Sequence, residues 1–209
     1  AEGARVTAHC FDERSVTVAF RVTGKVPELW NTETGEIRSL PRWEVKEGRT
    51  YVPLQFLPAE SYFIVFREAG THAKRAGENF AQQTKIDTVE GAWRVEFQAG
   101  REAPQHIELP QLMSWSDHPD DGVRFFSGQA VYRREVQGPS GISALKNGER
   151  IFLDLGKVSN VAEVTLNGQR LRGVWKPPYR VDVTASLRPG KNELSIRVAN
   201  TWKNRLVGD

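Results

Sequence analysis

The sequence predicts an all-β protein built as two β-sandwich domains, and three observations carry this. Val16, Val18, Phe20 and Val22 alternate strictly with polar residues or Ala, the period-two pattern of a half-buried strand. Asn167-Gly168 follows Val164 and Leu166. An Asn-Gly pair is the strongest short hairpin signal in a sequence, because both central residues of a type I′ turn need φ > 0. Between these two regions, residues 69–88 are rich in Ala, Gly, Gln and Lys and lose apolar periodicity, which reads as an inter-domain linker. The expected division is a small antiparallel sandwich over 1–68, the linker over 69–88, and a second sandwich over 89–209.

Within the first domain, residues 26–30 make a second apolar piece and residues 31–35 a polar turn. Residues 37–43 resume the apolar pattern and are interrupted by Pro41. Glu47-Gly48 makes the next turn, after which Val52, Leu54 and Phe56 alternate, and then Tyr62, Ile64 and Phe66 face one way. Five or six strands are expected here, enough for a small sandwich. The second domain opens on Trp93, Val95 and Phe97, with a short strand expected over 105–109 leading into 112–115. Residues 116–122, SDHPDDG, form the most polar loop of the chain, and Pro119 and Gly122 impose an irregular backbone. A strand over 130–136 follows, then a Gly/Ser/Pro/Asn-rich loop over 138–148. Ile151, Leu153 and Leu155 share a face; Val181 and Val183 follow the paired prolines; Pro189-Gly190 turns the chain; and Leu194, Ile196 and Val198 alternate again. The chain then stops on Gly208-Asp209 without a further strand, which reads as a truncated C-terminus.

Composition narrows the function classes. With 39% hydrophobic and 26% charged residues over 209 positions, this is a globular composition rather than a disordered one. A net charge of +3, dispersed along the chain, gives no footprint for nucleic acid. The apolar runs are too short to span a membrane as a helix. Cys10 is the only cysteine, so neither an internal disulfide nor a cysteine-based zinc site is available. The opening AEGARVTAHC lacks the basic start and apolar core of a signal peptide, so either a signal has been removed or the chain is a piece of a longer one.

Catalytic constellations are missing. Glycoside hydrolysis needs two carboxylates flanking the scissile bond, about 5 Å apart for retention. Asp117, Asp120 and Asp121 are neighbours, but three acids in one polar loop read first as turn-capping groups. Their second reading is a calcium site, since Ca²⁺ takes six to eight oxygens, although the EF-hand spacing is absent. Otherwise no cofactor is expected. The histidines at 9, 72, 106 and 118 have no metal-ligand spacing. Sugar binding fits better, because aromatic faces stack on pyranose C–H faces while a few placed polar groups fix the hydroxyls. Trp115, beside SDHPDDG, and Trp175, in GVWKPPYR, sit in loops, where binding residues concentrate on a rigid sandwich. For Trp115 the neighbouring Leu112 and Met113 favour burial; for Trp175 the paired prolines leave a packed lid as an equal alternative. The carbohydrate candidates are Trp115, His118, Asp120, Trp175, Lys176, Tyr179 and Arg180.

The runs FFSGQAVYRREV (125–136) and RIFLDLGKVSNVAEVTLNGQRLRGVWKPPYRVDVTASLRPGKNELSIRVANTW (150–202) resemble the galactose-binding-like, sugar-binding jelly roll of family 2 glycoside hydrolases. WKPPYRVDVT (175–184) and VANTWKNRLVGD (198–209) are more similar to the C-terminal region of family 106, the α-L-rhamnosidases. PELWNTETGEIRSLP and VPLQFLPAESYFIVFRE resemble the small sandwich that precedes the jelly roll in that family. The resemblance implies a bacterial periplasmic or secreted protein. It also implies a catalytic (β/α)₈ barrel, carrying a carboxylate pair and calcium, as a partner elsewhere in the parent. Such a barrel needs about 200 residues or more, and none is present, so no catalytic residue carries over and this chain alone is not expected to be an enzyme. Two functions follow from the resemblance. One is a non-catalytic accessory region whose jelly roll binds a carbohydrate, for instance a rhamnose-containing glycan, and supports or extends the substrate site. The other is a purely structural pair of sandwiches bracing the barrel. Exposed Trp115 or Trp175 would favour the first, and burial of both the second.

Overall fold

The computed structural model describes residues 2–7, 13–70, 77–139, 141–146 and 148–208. It is nearly all β, with 43% strand and 8% helix, as the alternation and turn chemistry predict. The chain divides into two compact units, 1–84 and 85–209, each with its own apolar core.

The first unit contains β1 (Glu2–Thr7), β2 (Arg14–Phe20), β3 (Lys25–Asn31), β4 (Ile37–Ser39), β5 (Glu44–Lys46), β6 (Arg49–Phe56) and β7 (Ser61–Ala69). They form two antiparallel sheets, ordered β1-β7-β3-β4 and β2-β6-β5. Strict alternation puts Val52, Leu54 and Phe56 of β6 on one face and Tyr62, Ile64 and Phe66 of β7 on one face, and all six are buried. They close one core with Phe20, Leu29, Leu40 and Trp43. Each such side chain removed from water contributes about 1.5–3 kcal/mol. Phe20 meets Phe66 edge-on with ring centroids 5.3 Å apart. The β5–β6 hairpin turns at Glu47 (φ 52°) and Gly48 (φ 69°), the left-handed pair a type I′ turn requires.

Part of the stretch expected to be a linker is held on this unit. Asn79 is buried; its Oδ1 accepts from the Arg42 amide at 2.8 Å, and its Nδ2 donates to the carbonyls of Arg42 (2.7 Å) and Pro53 (2.8 Å). Phe80 lies 6.1 Å from the Tyr62 ring. A polar residue whose role is to satisfy distant backbone groups carries no apolar periodicity, so this anchor does not show in the pattern.

The second unit contains β8 (Trp93–Phe97), β9 (His106–Leu109), α1 (Asp121–Arg124), β10 (Gln129–Gly138), β11 (Phe152–Asp154), β12 (Val161–Leu166), β13 (Gln169–Arg170), β14 (Arg180–Asp182), β15 (Gly190–Ala199) and α2 (Lys203–Gly208). A six-stranded antiparallel sheet, β13-β12-β15-β10-β8-β9, stands with a two-stranded sheet, β11-β14. Trp93, Val95, Phe97, Val164, Leu166 and Leu194 from the large sheet share one core with Val181 and Val183 beside the small one. This is the two-layer arrangement of a jelly roll. The longest ladder pairs β10 with β15 from Gln129↔Ala199 to Gly138↔Gly190.

The hairpin signal at 167–168 has a second role. Asn167 (φ 52°) and Gly168 (φ 80°) make the turn between β12 and β13. The Asn167 side chain also reaches inward: Nδ2 donates to the Ser186 carbonyl and to Asn192 Oδ1, each at 2.8 Å, and Oδ1 accepts from the Glu193 amide at 3.0 Å. Asn192 is buried, accepts from the Arg188 amide at 2.8 Å, and donates to the Arg188 and Gly190 carbonyls at 2.8 Å. Two amides thus satisfy the backbone of the connection from β14 to β15 and of the start of β15, at one end of the sandwich. At the other end Asn200 does similar work, accepting from the Gly128 amide at 2.9 Å and donating to the Phe126 carbonyl at 2.8 Å.

Candidate functional site

The loop over 175–179 is pinned at both ends. Val174 exchanges backbone hydrogen bonds with Ala162 of β12, at 2.8 and 2.9 Å. Two bonds hold the exit: the Leu155 amide donates to the Tyr179 carbonyl at 2.8 Å, and the Arg180 amide to the Pro178 carbonyl at 2.8 Å. The Pro177-Pro178 bond is cis. Trp175 stands out from this frame, 66% exposed, while Lys176 and Tyr179 are half-buried and Tyr179 leans on the core.

Arg180 is held in an ion pair. Its Nε donates to Asp154 Oδ2 at 2.7 Å across the β11–β14 pair, and Asp154 Oδ1 accepts from the Gly156 amide at 2.9 Å. Burial works against the Asp154 charge, but the Arg180 guanidinium and the Gly156 amide outweigh it and hold the carboxyl below its ordinary range. Asp154, which no sequence pattern singled out, thus braces the exit of the 175–180 loop.

The loop at 115–122 is arranged differently, with its indole turned inward and its polar side chains engaged in its own turn. Trp115 is no platform: at 8% exposure it lies in the core, edge-on to Phe97 (5.6 Å) and Phe126 (5.4 Å). Its Nε1 donates to the Tyr132 hydroxyl at 2.6 Å, which lets a buried indole keep its hydrogen bond. Burial pushes the Tyr132 hydroxyl up from its ordinary range, so it stays protonated. Among the described residues no three His, Cys, Asp or Glu side chains are grouped to hold a metal. Asp120 Oδ1 instead caps α1 by accepting from the Val123 amide at 3.1 Å, and Asp121 pairs with Arg124 at 2.9 Å. His118 is half-buried and accepts at Nδ1 from the Asp120 amide at 3.1 Å. His118 and Asp120 are thus committed to the local turn. Among the other residues weighed from the sequence, His9, Cys10 and His72 lie outside the described residues.

A cleft of about 240 Å³ lies beside α1, lined by Arg101, Glu102, Asp121, Phe125 and Arg205. Arg205 pairs with Glu102, and Arg101 Nη1 donates to the Ser127 carbonyl at 3.1 Å. These residues come from opposite ends of the second unit's sequence, so no local motif announces them.

Residues 115–207 match the family described as "Glycosyl hydrolase 2 galactose-binding domain-like". A putative beta-glucuronidase of Formosa agariphila is 40% identical over 119 residues, covering 57% of this chain and 10% of that protein. The solved rhamnosidase of Novosphingobium sp. PP1Y is 39% identical and overlays 99% of this chain with a TM-score of 0.85, and this chain covers 19% of it. The chain therefore spans about a fifth of the rhamnosidase and a tenth of the curated relative.

Proposed function

We propose that this chain is the non-catalytic accessory region of an α-L-rhamnosidase-like glycoside hydrolase of family 106, and that its jelly roll extends the substrate site through the loop at 175–180. The full-length overlay on a rhamnosidase, at 39% identity across both units, is the observation that carries this reading. The loop chemistry supports it. Trp175 offers an open ring to a sugar face. The Arg180–Asp154 pair offers donors and acceptors for hydroxyls on a frame that does not have to reorganise on binding. The partners are a carbohydrate, taken to be a rhamnose-containing glycan, and a catalytic (β/α)₈ barrel in the parent protein.

Affinity electrophoresis on rhamnose-rich pectin tests it. Retardation of the 209-residue chain, lost in Trp175→Ala, is the expected result. No retardation on any polysaccharide would leave the second reading, a structural brace without a ligand. Hydrolysis of an aryl rhamnoside by the chain alone would overturn both.

A further inference from the structure

The four most exposed large apolar side chains among the described residues are Trp202 (76%), Leu206 (72%), Val207 (71%) and Trp175 (66%). Strand register places all four at one end of one sandwich. Ala199 ends β15 opposite Gln129, and Trp202 and α2 follow directly. Val174 bonds to Ala162, which pairs with Val198 of β15. Val174 and Val198 therefore lie two strand spacings apart, about 10 Å, with Trp175 next along the chain.

This end is held in place rather than trailing. The Arg205 amide donates to Ser127 Oγ at 3.0 Å, Arg205 pairs with Glu102, and Gly208 sits so close to Phe125 that a Cβ there would lie 2.5 Å from the ring. Leu206 and Val207 are thus presented outward by an anchored helix. Their chemistry is not that of a sugar subsite, because aliphatic side chains bring no ring to stack and no group to bond a hydroxyl. Clustered, fixed, exposed aliphatic and aromatic side chains match the apolar centre of a protein interface.

We propose that Trp202, Leu206 and Val207 form a docking surface for another domain of the same longer polypeptide, with Trp175 at its border, where a sugar bound to that domain would reach it. The inference rests on the accessory reading above. The occupant is chosen because the rhamnosidase that overlays both units is about five times as long as this chain. Exposed Lys203 at the edge of the patch suits a companion with acidic groups around an apolar centre.

Hydrogen-exchange mass spectrometry of the 209-residue chain and of the longest natural polypeptide containing it provides the test. Amides over 202–207 are expected to exchange about tenfold more slowly in the longer protein. The double variant Leu206→Glu, Val207→Glu is expected to leave the melting temperature of the 209-residue chain unchanged, since both side chains are already in water, and to lower that of the longer protein. Equal exchange in the two proteins overturns the proposal, as does a natural reading frame holding nothing beyond these residues. A concentration-dependent dimer of the 209-residue chain that the double variant abolishes overturns it in favour of a second copy. Rhamnose-rich pectin slowing the 202–207 amides of the isolated chain overturns it in favour of a sugar site. Retardation on pectin is read separately, so the accessory reading stands or falls on its own measurement.

Discussion

At the scale of single residues, the buried amides matter more than the turn they accompany. Asn192 makes four hydrogen bonds, three to the backbone of Arg188 and Gly190 and one from the Asn167 side chain. Asn192→Ala is expected to destabilise the second unit by about 3 kcal/mol, because each orphaned buried group costs about 1–3 kcal/mol. Urea unfolding checks this, and the slope is expected to stay unchanged while the midpoint falls. Trp175→Ala makes the opposite case. Its ring is mostly in water, so stability is expected to stay within about 0.5 kcal/mol of the parent while glycan retention is lost. Chemical denaturation and electrophoresis on the same preparation separate the two effects.

At the scale of elements, two junctions lend themselves to measurement. Glu28 of β3 is buried and accepts from Trp30 Nε1 at 3.0 Å and from Arg67, on β7, at 2.8 and 3.0 Å. The Trp30 bond and then the Arg67 guanidinium hold its carboxyl below the ordinary range. A carboxyl depressed on folding contributes stability that is complete above its unfolded pKa, about 4.3, and disappears as pH falls through its folded value. Glu28→Gln is therefore expected to lower the melting temperature at pH 7, with the gap narrowing as pH falls below the ordinary carboxylate range; calorimetry across a pH series checks it. The second junction is the far end of the β10–β15 ladder. A Cβ on Gly138 would lie 2.1 Å from the Arg188 carbonyl oxygen, so Gly138→Ala must push that end open. Its expected cost is about 1–3 kcal/mol, and amides over 188–192 are expected to lose exchange protection.

At the scale of the whole molecule, the two separate cores predict that 1–84 and 85–209 each unfold cooperatively when expressed alone, a point circular dichroism melts check directly. The same scale shows what could be read in advance. Alternation identified β6 and β7 because period two survives wherever one face is buried, and Asn-Gly identified its turn because backbone sterics are local. The neighbouring Leu112 and Met113 pointed to burial of Trp115, but not to its partner, since the Tyr132 hydroxyl that takes its indole hydrogen bond lies seventeen positions away. Asp154 and the cleft at Arg205 and Glu102 were invisible for the same reason: their partners meet only through the fold. Residues 77–84 read as linker because an anchoring Asn looks like any other polar residue.

The placement of Trp115 also has a spectroscopic consequence. Within the second unit, Trp93 and Trp115 are shielded while Trp175 and Trp202 stand in water, so one polypeptide carries two emitting populations with opposite solvent access. In the second unit expressed alone, iodide should quench only the outer pair, and a ligand or companion covering that end should shift the quenchable emission to the blue without touching the inner one. The indoles thereby supply an unlabelled optical readout of occupancy, with an internal reference that changes only when the jelly roll itself unfolds.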